Sequence, residues 1–256
     1  MKALAAISAL LLAPAGLLAW FAPQSARPTP AGAISCFDSV ETRILELVNE
    51  ERRNQRLSPL QLDETLRAVA RNHDDDMLAR GFFGHGNPSG EGPSDRIARQ
   101  HRRLIGQTGE NIWESSGDYA SRHPDLAREI MKAWMNSPGH RENILRKEYT
   151  HLGVGVCAAG REIRATQEFA GIQALLTHPL PAAVKSGSAV DLSTSGSRSA
   201  DMFDIWSKQK RRALTRPARI PGARLEAPPG VYVLRFYFER AAGSFVIYQG
   251  PSIEIR

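Results

Sequence analysis

Apolar residues recur at helical intervals along the first half of the chain. Val40, Ile44, Leu47 and Val48 form one stripe in "SVETRILELVNEERRNQ", which predicts an amphipathic helix. Asp38 or Ser39 is placed to cap it, with Glu41 or Thr42 in the first turn. A short extended entry and a second helix follow in "LSPLQLDETLRAVARNHDDDMLARG". Asp63 is its expected cap, Leu66, Val69, Ala70, Met77 and Leu78 its buried side, and Gly81 its stop. Leu126, Ile130 and Trp134 repeat at i, i+4, i+8. Ser137-Pro138 breaks that helix and starts the next, with Ser137 as cap and Pro138 in the first helical position. His140 therefore falls in the first turn of a short helix. The rest of the chain up to about residue 146 reads as helix and loop.

After His151 the period changes to two. Leu152, Val154 and Val156 face one way, and Gly153, Gly155 and Cys157 the other. Ile163, Ala165, Gln167 and Phe169 form a facing strand, and "AAGR" turns the hairpin. Glycines on one face permit close approach of another layer. Helices followed by a two-faced hairpin predict an α+β domain over 36–177, preceded by a leader segment at 1–33. Residues 178–200 are rich in Pro, Gly and Ser and read as a linker. In 201–256, Tyr232, Leu234, Phe236 and Phe238 alternate with Val231, Val233, Arg235 and Tyr237. With the extended pieces around "DMFDIW" and "ARIPGARLE" they predict a small β-rich C-terminal domain.

Composition changes the picture at the two ends. Lys2 precedes the apolar run from Ala3 to Ala22, and "AGA" ends at Ala33. This reads as a secretory signal or an uncleaved N-terminal anchor, and both place the remainder in an exported, oxidising compartment. The two cysteines, Cys36 and Cys157, are then expected to pair; two buried free thiols are the alternative. From Trp206 to the end there are ten Lys/Arg against three Glu. That basic piece would meet anionic envelope polymers or lipid headgroups, or merely solubilise the chain. The export signal argues against nucleic acid.

Three groups stand beside chain-turning residues: His85 in "GFFGHGNPSG", Glu110 in "GQTGENIW", and His140. Two imidazoles and a carboxylate suit a divalent metal such as zinc, or acid–base work. Their separations of 25 and 30 residues match no compact ligand signature. The alternatives are structural: a hydrogen bond from His140 to Glu110, or a carboxylate that fixes the "GENI" turn. His73, beside three Asp, is expected on a solvated face, where consecutive helical residues do not converge on calcium. His101 and His123 are expected at the surface, Trp113 and Trp134 in the core. Ser137 with His140 looks like a nucleophile and base, but a cap hydroxyl is already engaged.

The segments "LVNEERRNQRLSPLQLDETLRAVARNHDDDM", "GFFGHGNPSG", "GENI", "AWMNSPGHRENIL", "YTHLGVGV" and "ATQEFAG", in this order from about 40 to 170, resemble the CAP superfamily. This is the SCP-like domain of cysteine-rich secretory, antigen 5 and pathogenesis-related proteins, and the likeness is to its bacterial branch. The resemblance implies an α–β–α sandwich with a cavity lined by two histidines and two glutamates. His85 would be the first histidine, Glu110 the first glutamate and His140 the second histidine. Where such proteins carry the second glutamate, three residues after a helix tryptophan, this chain has Ser137 after Trp134. The missing carboxylate weakens a metal site (zinc or calcium) on His85 and His140. It favours a non-catalytic exported module that binds a small lipid-like or envelope-derived ligand, or an extracellular partner, in a cavity lined by His85, Glu110, Ser137 and His140. The alternative is a metal-dependent hydrolase of peptide or ester bonds using His85, Glu110 and His140.

Overall fold

The spacing of small and large residues on the hairpin decides where the helices sit. The computed structural model describes residues 33–116, 125–196 and 198–256; the apolar N-terminal run and His123 lie outside the described residues. Its helices are α1 (Asp38–Asn54), α2 (Glu64–Arg80), α3 (Pro93–Gln100), α4 (Leu126–Asn136) and α5 (Pro138–Leu145). The long strands are β1 (Leu104–Ser116), β2 (His151–Ala159), β3 (Glu162–Leu176), β4 (Met202–Ser207), β5 (Gly230–Ala241) and β6 (Ser244–Ile255). With two-residue strands they form one sheet in the order Ser35–Cys36, β2, β3, β1, β6, β5, β4, Arg212–Ala213. No helix among the described residues is long and apolar enough to cross a membrane.

Leu152, Val154 and Val156 of β2, with Ile163, Ala165 and Phe169 of β3, pack on Ile44 and Val48 of α1, Ile130 and Trp134 of α4, and Ile144 of α5. The other face of β2 has no side chains at Gly153 and Gly155. A Cβ on Gly153 would stand 2.1 Å from Arg67 N, and one on Gly155 2.6 Å from Asp74 Oδ2. Helix α2 therefore lies directly on the hairpin, and the result is an α–β–α sandwich. Asp63 caps α2 by accepting from Leu66 N at 2.9 Å, and Gly81 ends it at φ 65°. Cys36 and Cys157 face each other in register and form a disulfide.

Several sequence expectations are corrected. Helix α1 starts at Asp38 behind Phe37 with no side-chain cap; Asp38 and Glu41 in its first turn supply favourable charge instead. Ser137 does occupy the position before α5, with Pro138 first in the helix, but its hydroxyl makes no capping bond. His73 and Asp74 are fully buried rather than solvated, because the side of α2 that carries them is pressed onto the sheet. His101 is buried too: Nε2 stands 3.2 Å from Asp63 Oδ2, and Nδ1 accepts from Leu104 N at 3.1 Å. Trp134 is buried and Trp113 partly so. The central strand β1 occupies a stretch that the sequence pattern presents as helix and loop. Its polar residues point into both faces, so no clean alternation marks it.

Residues 178–200 do not hang as a free tether. Leu180 and Leu192 are buried in a second core with Phe203, Ile205, Leu225, Leu234, Phe236, Phe238, Ile253 and Ile255. That core also takes Ile105, Ala174 and Leu176 from the ends of β1 and β3. The β-rich unit is thus continuous with the sandwich, and β6 joins β1 at Gln249 and Gly106.

Gly153→Ala should force α2 off the hairpin. Overpacking of this kind costs ~1–3 kcal/mol, and the backbone atoms in the way put the expected loss at the top of that range. Thermal or urea unfolding measures it; an unchanged midpoint would contradict the close packing.

Candidate functional site

Glu110 of β1 and Glu168 of β3 stand opposite each other in register, and both are buried. Glu110 is surrounded by groups from four elements. His85, in the loop after α2, donates from Nδ1 to Glu110 Oε1 at 2.6 Å. Arg96 of α3 donates from Nη2 to Glu110 Oε2. The same guanidinium holds the His85 carbonyl at 2.9 Å and lies 3.9 Å from Glu168. His73 of α2 donates from Nε2 to the Gly84 carbonyl at 3.1 Å and stands 3.8 Å from Glu110. The loop bearing His85 is therefore pinned from below by one carboxylate, one guanidinium and one imidazole. Glu110 fixes this loop, not a "GENI" turn, since it lies inside a strand.

His140 comes from the other side. Asn111 donates to the His140 carbonyl at 3.1 Å and to Gln167 Oε1 at 2.9 Å. Asn143 donates to the Glu110 carbonyl at 3.1 Å and to Asn111 Oδ1 at 2.9 Å. These amides fasten α5 to β1. The side-chain bond to Glu110 comes from His85 and not from His140. Ser137 stands half-buried at the start of α5, one turn before His140.

The charges separate accordingly. Burial would raise the Glu110 pKa, but the His85 hydrogen bond and the Arg96 charge outweigh it and hold it below the ordinary carboxylate range. Glu168 goes the other way: burial, then the Glu110 charge, push it well above that range. Neither Glu168 oxygen has a hydrogen-bond partner, so the neutral acid is the cheaper form. His85 is raised, chiefly by its bond to Glu110. His140 is lowered by burial and by the His85 charge, which places the two imidazoles within electrostatic reach. Near neutrality His85 leans to the cation and His140 to the neutral base.

A metal fits this arrangement poorly. His85 keeps Nε2 for an ion and His140 its imidazole, but both Glu110 oxygens are occupied. Two imidazoles fall short of the three protein ligands of a catalytic zinc site, and calcium wants about six to eight oxygens. Glu110 acts as an orienting group for His85.

Arg96, His73 and Glu168 were not recognised as site residues in the sequence. Glu168 had a signal: in "ATQEFA" it alternates with buried Gln167 and Phe169 on a strand covered on both faces. Arg96 had none, because its partner lies 14 positions away in another element.

An α–β–α sandwich with a histidine–glutamate pair beside a short helix that carries a second histidine defines a class of domain. Residues 45–169 match the family described as CAP, the cysteine-rich secretory protein family. This segment, just under half of the chain, is a CAP domain similar to bacterial members of the superfamily. The chain is 36% identical to YkwD of Bacillus subtilis (strain 168) over 152 residues, covering 59% of this chain and 55% of that protein. It is 35% identical to the membrane protein YlbC of the same organism over 116 residues, 45% of this chain and 31% of that one. The chain thus spans about half of the first relative and about a third of the second. An extracellular SCP-domain protein of Bacillus anthracis str. Ames superposes on 52% of this chain and 40% of its own, with 28% identity and a TM-score of 0.43.

Two outcomes follow from the buried charges. Arg96→Met leaves the buried Glu110 with His85 as its one hydrogen-bonded cationic partner and should cost ~3–5 kcal/mol. Glu168→Gln replaces a group that must take up a proton on folding. Its folded pKa is raised, so its contribution falls as pH rises above about 4.3. The Gln variant should therefore match wild type in acid and gain on it toward neutral pH. Denaturant titrations at several pH values decide both.

The His85–Glu110 pair has its own pH signature. His85, raised in the fold, stabilises fully below about 6.5 and loses this as pH rises through its folded value. Glu110, lowered in the fold, stabilises above about 4.3 and loses this as pH falls. The Tm difference between wild type and His85→Gln should peak between those values and shrink above them. A difference independent of pH would exclude the ion pair.

Proposed function

We propose that the protein is an exported binding module rather than an enzyme, and that it holds a small lipid-like molecule between α1 and α4. The observation that carries this reading is a groove of about 290 Å³ between these helices. Leu47, Met131 and Met135 give it apolar walls, and Arg128 and Lys132 stand on its rim with Glu51 opposite. Methionine walls adapt to irregular apolar chains, and the cations suit an anionic head. The volume lies near the small end of the ~300–1,000 Å³ usual for ligand sites.

The same reading accounts for the histidine site. A hydrolase would need an open ligand set or a free base beside a nucleophile. Glu110 is occupied at both oxygens, and Ser137 has no partner base fixed against it. The His85–Glu110–Arg96 group then serves to hold the loop after α2 and the short helix α5 on β1. The export expected from the N-terminal run places such a module outside the cytoplasm, where lipid fragments and envelope components are met.

The test is direct binding of a fluorescent fatty acid, NBD-stearate, to the purified chain. Met135→Glu should weaken it about tenfold or more, while His85→Ala/His140→Ala should leave it unchanged and added Zn²⁺ should not raise the Tm. Zinc-dependent ester or peptide cleavage that disappears in the histidine variant would replace this reading with the hydrolase.

A further inference from the structure

Strand β4 carries two short partners on its outer side. Arg212 and Ala213 pair with Ser207 and Trp206, and Ala218 and Arg219 pair with Phe203 and Met202. These pieces are the edge of the sheet. The segment 208–219 that builds this edge holds six Lys/Arg and no acid, and all six are exposed. Lys208 is paired with Asp95 of the first domain. Lys210, Arg211, Arg212, Arg216 and Arg219 have no ion pair among the described residues. From Arg212 to Arg219 the edge runs beside five steps of β4, ~17 Å at ~3.3 Å per residue. Arg212 stands opposite Ser207 and Arg219 opposite Met202, an odd number of positions apart, so their side chains leave the edge on its two faces and flank it on both sides.

Edge protection alone does not require this. One lysine or a proline is enough to block strand addition, and Pro217 is already there. The edge ends at a second feature. Lys208 forms the lip of a groove of about 320 Å³ between the β-rich unit and the first domain, with Val231, Val233 and Ser252 on one wall and Arg99 and Glu91 on the other. Val231 is 71% exposed, an apolar patch beside Ser252 and the Arg99–Glu91 and Lys208–Asp95 pairs.

We propose that this edge and groove bind the chain of an acidic polysaccharide, with the carboxylates of the polymer along the edge cations and a sugar ring against Val231. Exposed cations on both faces of one sheet edge, with no acid among residues 208–219, suit a polyanion chain lying along that edge. A bilayer surface is disfavoured because the hairpin tip, Lys208-Gln209-Lys210-Arg211, offers no apolar side chain to enter it, and the exposed valine lies back in the groove. The inference borrows from the proposed function only the exported location, where such polymers are met, and does not depend on the groove between α1 and α4.

The experiment compares binding of the full chain to polygalacturonate, to neutral dextran, and to phosphatidylglycerol–phosphatidylcholine vesicles. Polygalacturonate should bind and dextran should not, with affinity falling steeply as salt is raised, as for other polyanions. Lys210→Glu/Arg211→Glu/Arg212→Glu should lose about tenfold or more while keeping its Tm and its NBD-stearate binding. If that variant does not fold, the triple Gln variant should show the same loss in weaker form. Absent binding to polygalacturonate, equal binding to dextran, vesicle binding alone, or undiminished affinity in the folded variants would each overturn the proposal. Loss of NBD-stearate binding in wild type would strike the helix groove and leave this one standing.

Discussion

A carboxylate taken out of water on every side must be met by charge or by donors, or it does not stay ionised. Glu110 is that group here, and most of the first domain's geometry can be traced from it. Arg96 fixes α3 against β1, His85 fixes the loop after α2, and His73 reaches the same loop from the buried side of α2. One buried charge thereby ties a strand, two helices and a glycine-rich loop. The second carboxylate beside it cannot share this solution, since one guanidinium serves both. Glu168 accordingly takes the neutral form and leaves the negative charge to Glu110.

This division decides what the site can do. A carboxylate with both oxygens engaged orients an imidazole well and serves badly as a base or a metal ligand. His85 is thereby turned outward through Nε2 with its charge favoured, while His140, lowered by burial and by that charge, stays neutral beside it. The pair is electrically asymmetric, and its carboxylate is already engaged at both oxygens. A groove lined by Leu47, Met131 and Met135 lies on the opposite face of the sheet, between α1 and α4. Helix α1 on the other face is placed by apolar packing together with buried Glu41, paired with Arg67 and Arg71, and buried Arg52, which bonds the Ile144 and Tyr149 carbonyls.

Much of the sandwich was legible because its signals are local. The Asp63 cap, the Gly81 stop, the Ser137-Pro138 break and the alternation from Leu152 to Val156 each depend on residues within a few positions of one another. Gly153 and Gly155 announced a close layer, and α2 is that layer. What stayed hidden depends on burial of polar groups by distant elements. His73 and Asp74 look solvated in a row of acids, yet the sheet covers them. Glu168 and Arg96 acquire meaning only when β1, β3 and α3 meet. Strand β1 escaped because Glu110 and Asn111 are both polar and point to opposite faces, which erases the period-two pattern. His85 and Glu110 were found together through family likeness, whereas the role of Glu110 as an orienting group could be read only from the two donors that occupy its oxygens.

The same limit of local reasoning applies to residues 178–200. Composition suggests a tether, but a tether and a structured crossover differ only in whether isolated apolar residues find a core. Leu180 and Leu192 find one, and it begins on Ile105, Ala174 and Leu176, which the sandwich strands extend beyond their own layer. Because that core is shared, the β-rich unit is built outward from the edge of the sandwich sheet instead of being joined by a flexible chain. Its cationic outer edge is therefore held at a fixed place relative to α3 and the loop that carries His85. The Lys208–Asp95 ion pair and the bond from Gln249 to the Ser94 carbonyl reinforce the junction. Arg212 and Arg219 are thus set by their pairing with β4 and not carried on a flexible tail.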